Sequence, residues 1–165
     1  MDILHYLKTH HDSIRTTCES LWQAKAVKER KAQLEALVKA TEVYLTLKRD
    51  FLYPEISGLF PAADSLIEAA EVNATNVGKR LKSLVKSAST AVFDATVFAT
   101  RLREFQLALT MHFDQEEQNL MPKMRMHIRT EEREDLGQVF ADAEAEVLIA
   151  LAAELEPVSV SRKRA

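Results

Sequence analysis

Six polar side chains stand where a folded helix would want apolar ones. His11, Tyr44, Lys48, Asn73, His112 and Glu116 each interrupt a hydrophobic stripe whose members are spaced three and four residues apart. Thr41 does so too, but a threonine can bond back to its own helix and needs no further account. Polar groups in a core cost free energy unless they are paired or bind something. Two chemistries would satisfy the six. One is a network of mutually hydrogen-bonded core residues. The other is a metal or ligand site inside the fold, to which His112 and Glu116, four residues apart on one helix face, would contribute together.

The stripes that carry these residues define the elements. Leu4, Leu7, His11, Ile14, Cys18 and Leu21 form the first, which ends where Lys25 takes the next position. Leu34, Leu37, Thr41, Tyr44, Lys48 and Phe51 form the second. Leu66, Ala70, Asn73, Val77, Leu81 and Leu84 form the third, and Phe98, Leu102, Phe105, Leu109, His112, Glu116 and Leu120 the fourth. Four amphipathic helices with short connections predict an all-α, up-down-up-down four-helix bundle. Leu136, Val139, Phe140, Ala143, Val147 and Leu151 give a fifth helix, about 130–155, to pack on its outside.

Punctuation agrees. Pro54 and Pro61 bracket a break containing Gly58, Pro122 is the next stop, and Pro157 opens the tail. The long stretches 1–53 and 62–121 each need a turn, placed near Ala26–Lys28 and at Lys86–Thr90. Ser or Thr of the second turn would cap the helix that follows it, and Asp64 or Ser65 the helix before. Thr130 with Glu131, Glu132 and Glu134 reads as the acidic first turn of the last helix.

The 165 residues (18.7 kDa) are enough for one domain, 1–155, with a short basic tail, 156–165, expected to fray. Three glycines and four prolines are too few for a strand-rich fold with many tight turns. A net charge of −3 gives no electrostatic reason to expect nucleic acid as a partner. No apolar run is long enough to span a membrane, and no secretory signal is visible. The single cysteine excludes an intramolecular disulfide. A cytoplasmic location is the expectation.

The segment His112-Phe-Asp-Gln-Glu116-Glu117-Gln-Asn-Leu-Met-Pro122 resembles the helix-four signature of the hemerythrin-like, or HHE cation-binding, family: a histidine, a carboxylate four or five residues on, and a Leu-aromatic-Pro stop. Met121 stands in the aromatic place. Leu7-Lys-Thr-His10-His11-Asp-Ser-Ile14 is similar to the family's opening motif, with His10 where its Asp would be. Leu52-Tyr53-Pro54-Glu55-Ile56 resembles the end of its helix two. The resemblance covers roughly residues 1–155 in order and spacing. It implies a bundle holding two non-haem irons on five histidines and two bridging carboxylates, with reversible dioxygen binding in some members.

Carried over residue by residue, the resemblance places His11 as the helix-one ligand and His112 as the helix-four histidine. Family spacing favours Glu117 as its carboxylate, whereas helix phase favours Glu116. The helix-two His and Glu fall on Tyr44 and Lys48, and the helix-three pair among Val72, Asn73, Asn76 and Val77. The histidines are 5, 10, 11, 112 and 127, so helices two and three contain none and the five-histidine site cannot be assembled.

Two readings follow. In the first, no metal is bound: Lys48 pairs with Glu116 across the bundle, with Tyr44 and Asn73 completing the network, and the protein is a non-enzymatic binding or regulatory module acting on a protein partner or small ligand. In the alternative, His11, His112 and Glu116 or Glu117 hold one iron or zinc in a sensor or redox protein, and Lys48 swings outward. Neither nucleic acid nor membrane is expected as a partner. Elsewhere, Cys18 reads as an inert buried thiol, Met111, Met121, Met124 and Met126 as packing, and Trp22 as a cap on the bundle. Lys79, Lys82 and Lys86 read as a solvated face, with an acidic partner as the alternative.

Overall fold

In the computed structural model, which describes residues 1–89 and 91–155, the stripes fold as helices and face one another. The basic tail, 156–165, and Thr90 lie outside the described residues. Helix α1 (Ile3–Gln23) begins at Asp2, whose carboxylate accepts from the Leu4 amide at 2.8 Å and occupies one of the unpaired N–H groups of the first turn. After a break at residues 24–26, α2 runs Val27–Leu47. It continues through a π-helical turn, Lys48–Leu52, into the short α3 (Tyr53–Ile56). Helix α4 (Ala63–Ala88) and α5 (Ala95–Gln115) follow. Helix α5 likewise passes through a π-helical turn, Glu116–Leu120, into α6 (Met121–His127), and α7 (Thr130–Leu155) ends the described chain.

Helix α1 lies beside α2 and α5, and α4 beside α2 and α5, which closes the bundle; α7 packs across α1 and α2. Phe140 and Ala143 bring α7 into the same hydrophobic core as the four bundle helices. Each fully buried Leu, Ile or Phe of that core is worth ~1.5–3 kcal/mol over its exposed state. Among the described residues there is no strand, and no helix is long and apolar enough to cross a membrane.

Four local expectations change. The cap of α5 is Asp94, beyond the KSAST segment, accepting from Thr96 N at 2.9 Å and Val97 N at 3.1 Å. Neither Asp64 nor Ser65 caps α4, which starts after Ala62 in a left-handed conformation (φ 66°). Asp64 instead accepts from Ser57 Oγ and Gly58 N, and so closes the preceding loop. At the start of α4 the buried positions are Ala63 and Ile67, with the expected Leu66 only half-buried. On α7, Val139 points to solvent, and Leu148 joins the packing instead.

Gly137 lies where α7 meets the start of α1. A Cβ there would sit 1.8 Å from the Met1 carbonyl oxygen and 3.1 Å from Ile3 N, so only glycine permits this approach. Polar contacts flank the apolar ones. Arg133 donates to Asp2 Oδ2 at 2.8 Å and to the Ile128 carbonyl at 2.7 Å. Tyr6 donates to Glu144, whose other oxygen is 3.4 Å from His10 Nε2.

Candidate functional site

The two π-helical turns open with Lys48 and Glu116, whose side chains meet in the core, and they decide which other side chains join them. A π turn holds one extra residue, so every position beyond it is rotated relative to the α-helical stripe. Leu47 and Lys48 are both buried where the first turn begins, and beyond it Leu52, Tyr53 and Ile56 are buried while the expected Phe51 is only half-buried. Tyr53 is thereby carried into the centre, where α-helical phase does not place it. In α5 the turn starts at Glu116, and Glu116 and Glu117 both reach His11.

Glu116 is the hub. It is fully buried, and four groups surround its carboxylate. Lys48 Nζ donates to Oε1, as does the Tyr53 hydroxyl at 2.8 Å. The Tyr44 hydroxyl donates to Oε2, and His11 Nε2 lies 3.1 Å from the same oxygen. Lys48 Nζ also donates to the Tyr44 hydroxyl at 3.2 Å. Its ammonium sits about 5 Å from the centres of both tyrosine rings (5.2 Å for Tyr44 and 5.1 Å for Tyr53), within reach of a cation–π attraction.

Burial sets the protonation of these groups. It raises both Tyr44 and Tyr53 above the ordinary phenol value, which keeps their hydroxyls as donors to the carboxylate. It pulls Lys48 well below the usual lysine range, and the carboxylate in contact with it opposes that pull. His11 and His112 are pushed down to about 2, by burial first and by the Lys48 charge second, so both are neutral imidazoles.

A neutral imidazole has one N–H. His11 Nδ1 is 2.7 Å from Glu117 Oε1, which can only accept when ionised, so Nδ1 carries the proton. His11 Nε2 is then an acceptor, 2.5 Å from the Tyr44 hydroxyl. Tyr44 has a single proton to offer, and both His11 Nε2 and Glu116 Oε2 compete for it. Glu117 is partly exposed; Arg15 donates to it at 2.8 Å, and Lys8 approaches to 3.6 Å. Arg15 lies over the Phe113 ring, and Phe113 stacks on His11 at 4.1 Å. The network therefore runs from the protein surface to the centre of the core.

His112 is buried with neither ring nitrogen hydrogen-bonded; its Nε2 is 3.9 Å from Glu116 Oε1. The expected partners divide accordingly. His11, Tyr44, Lys48, Glu116 and Glu117 are brought into one network. Asn73 is not: it stands half-buried on α4 and makes no hydrogen bond to the network among the described residues. The place foreseen for it is filled by Tyr53. The signal for Tyr53 is in the sequence, directly before Pro54, but using it requires knowing that the helix changes pitch there.

The other histidines are elsewhere. His5 and His127 are exposed, the latter stacked on Phe60, and His10 lies between Tyr6 and Glu144. Among the described residues, no group of three or more His, Cys, Asp or Glu side chains is arranged to hold a metal ion. Cys18 is buried, and burial pushes its thiol up to about 11, away from the reactive thiolate. Met121 and Met124 pack in the core, whereas Met111 and Met126 are exposed, so the methionines form no cluster.

No curated protein and no solved structure matches the chain. The family model for the hemerythrin HHE cation-binding domain matches residues 2–124, which take in all of α1 to α5 and both π-helical turns. Helix α7 lies beyond the match. With the helical bundle and a match over more than half its length, the chain belongs to the hemerythrin HHE cation-binding domain family.

Proposed function

We propose that this chain is a non-enzymatic binding or regulatory module that keeps the hemerythrin bundle without its di-iron centre. The observation that carries this reading is the contact of Lys48 Nζ with the Glu116 carboxyl group, buried in the bundle and closed to water. A protonated lysine cannot ligate a metal and repels one. The donors present do not fit two irons, because His11 and His112 alone of the five histidines reach the centre and Tyr44, Tyr53 and Lys48 already fill the positions around Glu116. Lys48 takes the role of the cation: it neutralises the buried carboxylate that a metal would otherwise neutralise. The module would then act through its surface on a protein partner or small ligand.

A second reading has its own support. His112 is buried with two unpaired ring nitrogens, and an unsatisfied buried imidazole is what a missing ligand leaves behind. If Lys48 turned away, His11, His112 and Glu116 or Glu117 would supply one iron or zinc with three donors, as in a mononuclear sensor or redox protein.

Metal titration separates the two. Purified protein is assayed for iron and zinc per chain, then melted with and without each ion. A specific site raises stability by ~2.7 kcal/mol at a hundredfold excess of metal over its dissociation constant. The first reading expects no bound metal and an unchanged melting temperature. It also expects Lys48→Glu to melt lower than the parent without metal and to gain stability when metal is added. Metal bound to the parent and lost in His112→Ala would establish the second reading.

A further inference from the structure

One end of the bundle combines positive charge with exposed apolar side chains, and neither the core network nor α7 accounts for it. Residues 24–31 (the α1–α2 turn and the start of α2) and residues 82–89 and 91–97 (the last turns of α4, and the end of the connection with the start of α5) are distant in sequence. The fold joins them: the Arg30 guanidinium lies 4.3 Å from the centre of the Phe93 ring and 5.8 Å from that of Phe98. Together these segments carry six cations, Lys25, Lys28, Arg30, Lys31, Lys82 and Lys86, against two acids, Glu29 and Asp94, in a chain whose net charge is −3. Asp94 is committed to capping α5.

Among the cations, apolar side chains reach solvent. Val27 is 76% exposed, Val92 82%, Val97 44% and Phe93 38%. Singly, none would call for an explanation. In segments that also carry the lysines, they have the composition of an interfacial membrane anchor, in which basic groups meet anionic headgroups and apolar ones enter the acyl boundary.

We propose that this end of the bundle docks on an anionic phospholipid bilayer as a peripheral contact. A protein partner fits less well. The apolar side chains of this end stand at the first turns of α2 and α5 and in the connection before α5, as single projections around helix ends, which suits a peripheral contact with a bilayer better than the seating of a partner's helix. A nucleic acid would use the lysines and leave the valines unexplained. The inference is independent of the core, because a metal-bound protein would present the same end.

The full chain is floated with vesicles of phosphatidylcholine alone and of phosphatidylcholine mixed with phosphatidylserine. Binding is expected to the mixed vesicles at low salt, to weaken as salt rises, and to be absent on phosphatidylcholine alone. Lys82→Glu with Lys86→Glu, and separately Val27→Ser with Val92→Ser, should each reduce the bound fraction about tenfold. These positions are exposed, and unchanged melting by circular dichroism verifies that the fold is intact. The tail supplies the control, since Arg162, Lys163 and Arg164 are also basic. Binding lost when those three become Gln, but kept in the Lys82 and Lys86 variant, overturns the proposal. So does equal binding to both vesicles, no binding to the mixed vesicles, or retention on a polyanion such as heparin without vesicle binding.

Discussion

Removing the Lys48 ammonium would leave Glu116 charged, buried and without its cation. A broken buried pair typically costs ~3–5 kcal/mol, because the remaining charge is uncompensated. Lys48→Met is therefore expected to lower stability by that amount in urea unfolding. Adding Glu116→Leu should restore much of the loss, since an apolar pair of similar volume no longer carries a buried charge. If the double variant is no more stable than Lys48→Met alone, the pair is not the unit that the geometry describes. The histidines give a second test. His11 and His112 sit at about 2 in the folded chain against an ordinary 6.5, so below pH 6.5 the unfolded chain binds more protons than the folded one. Stability is present in full above pH 6.5 and is lost as pH falls from there toward 2. Each histidine contributes a slope of up to ~1.4 kcal/mol per pH unit in that window. The urea midpoint should drop between about pH 7 and about pH 5, and His112→Leu should flatten the drop.

At the scale of the element, pitch and close approach decide what the apolar pattern leaves open. The α2 stripe is legible from Leu34 to Lys48 because three-and-four spacing holds to that point. Beyond it, the π-helical turn moves the buried face by a residue, exchanging Phe51 for Leu52 and delivering Tyr53 to Glu116. Helix α7 is legible as a helix, but its face is less so. Its weak stripe follows the groove of α1 and α2, which leaves Val139 in solvent and fits Gly137 against the Met1 backbone. Gly137→Ala forces a Cβ into that backbone. The expected cost is ~1–3 kcal/mol, the usual range for overpacking, although alanine is the better helix former. Hydrogen exchange should show α7 and the first turn of α1 losing protection before the rest of the bundle. An unchanged or raised stability would mean that α7 does not pass this close to Met1.

At the scale of the molecule, one hydrophobic core reaches from Leu21 and Phe98 at one end to Phe140 and Met124 at the other, and includes α7. Helices that share a core should unfold together. Trp22, half-buried with its indole N–H on Gln106 Oε1 at 3.0 Å, reports the end of the bundle where α1 stops. Its fluorescence and the far-ultraviolet helical signal are expected to change at the same urea concentration. An earlier loss of helical signal would assign α7 a separate, weaker stability. The same molecule has two chemically distinct regions, a neutralised ionic centre and a basic, apolar end.

Patterning within single segments was enough to determine the five long helices, the bundle and the polar positions that interrupt its stripes. Each of these depends on residues three or four apart, or on facing stripes that have no other apolar surface to meet. The choice between Glu116 and Glu117 was not of this kind: the tertiary structure buries Glu116 on Lys48 and leaves Glu117 at the edge, bridging His11 to Arg15. Nor was the replacement of Asn73 by Tyr53, which depends on a change of helical pitch that no hydrophobic period records. The basic end was legible only in part: Lys82 and Lys86 stood out as a basic face of one helix, but only folding brings Arg30 onto Phe93 and the lysines of α2 and α4 to the same end.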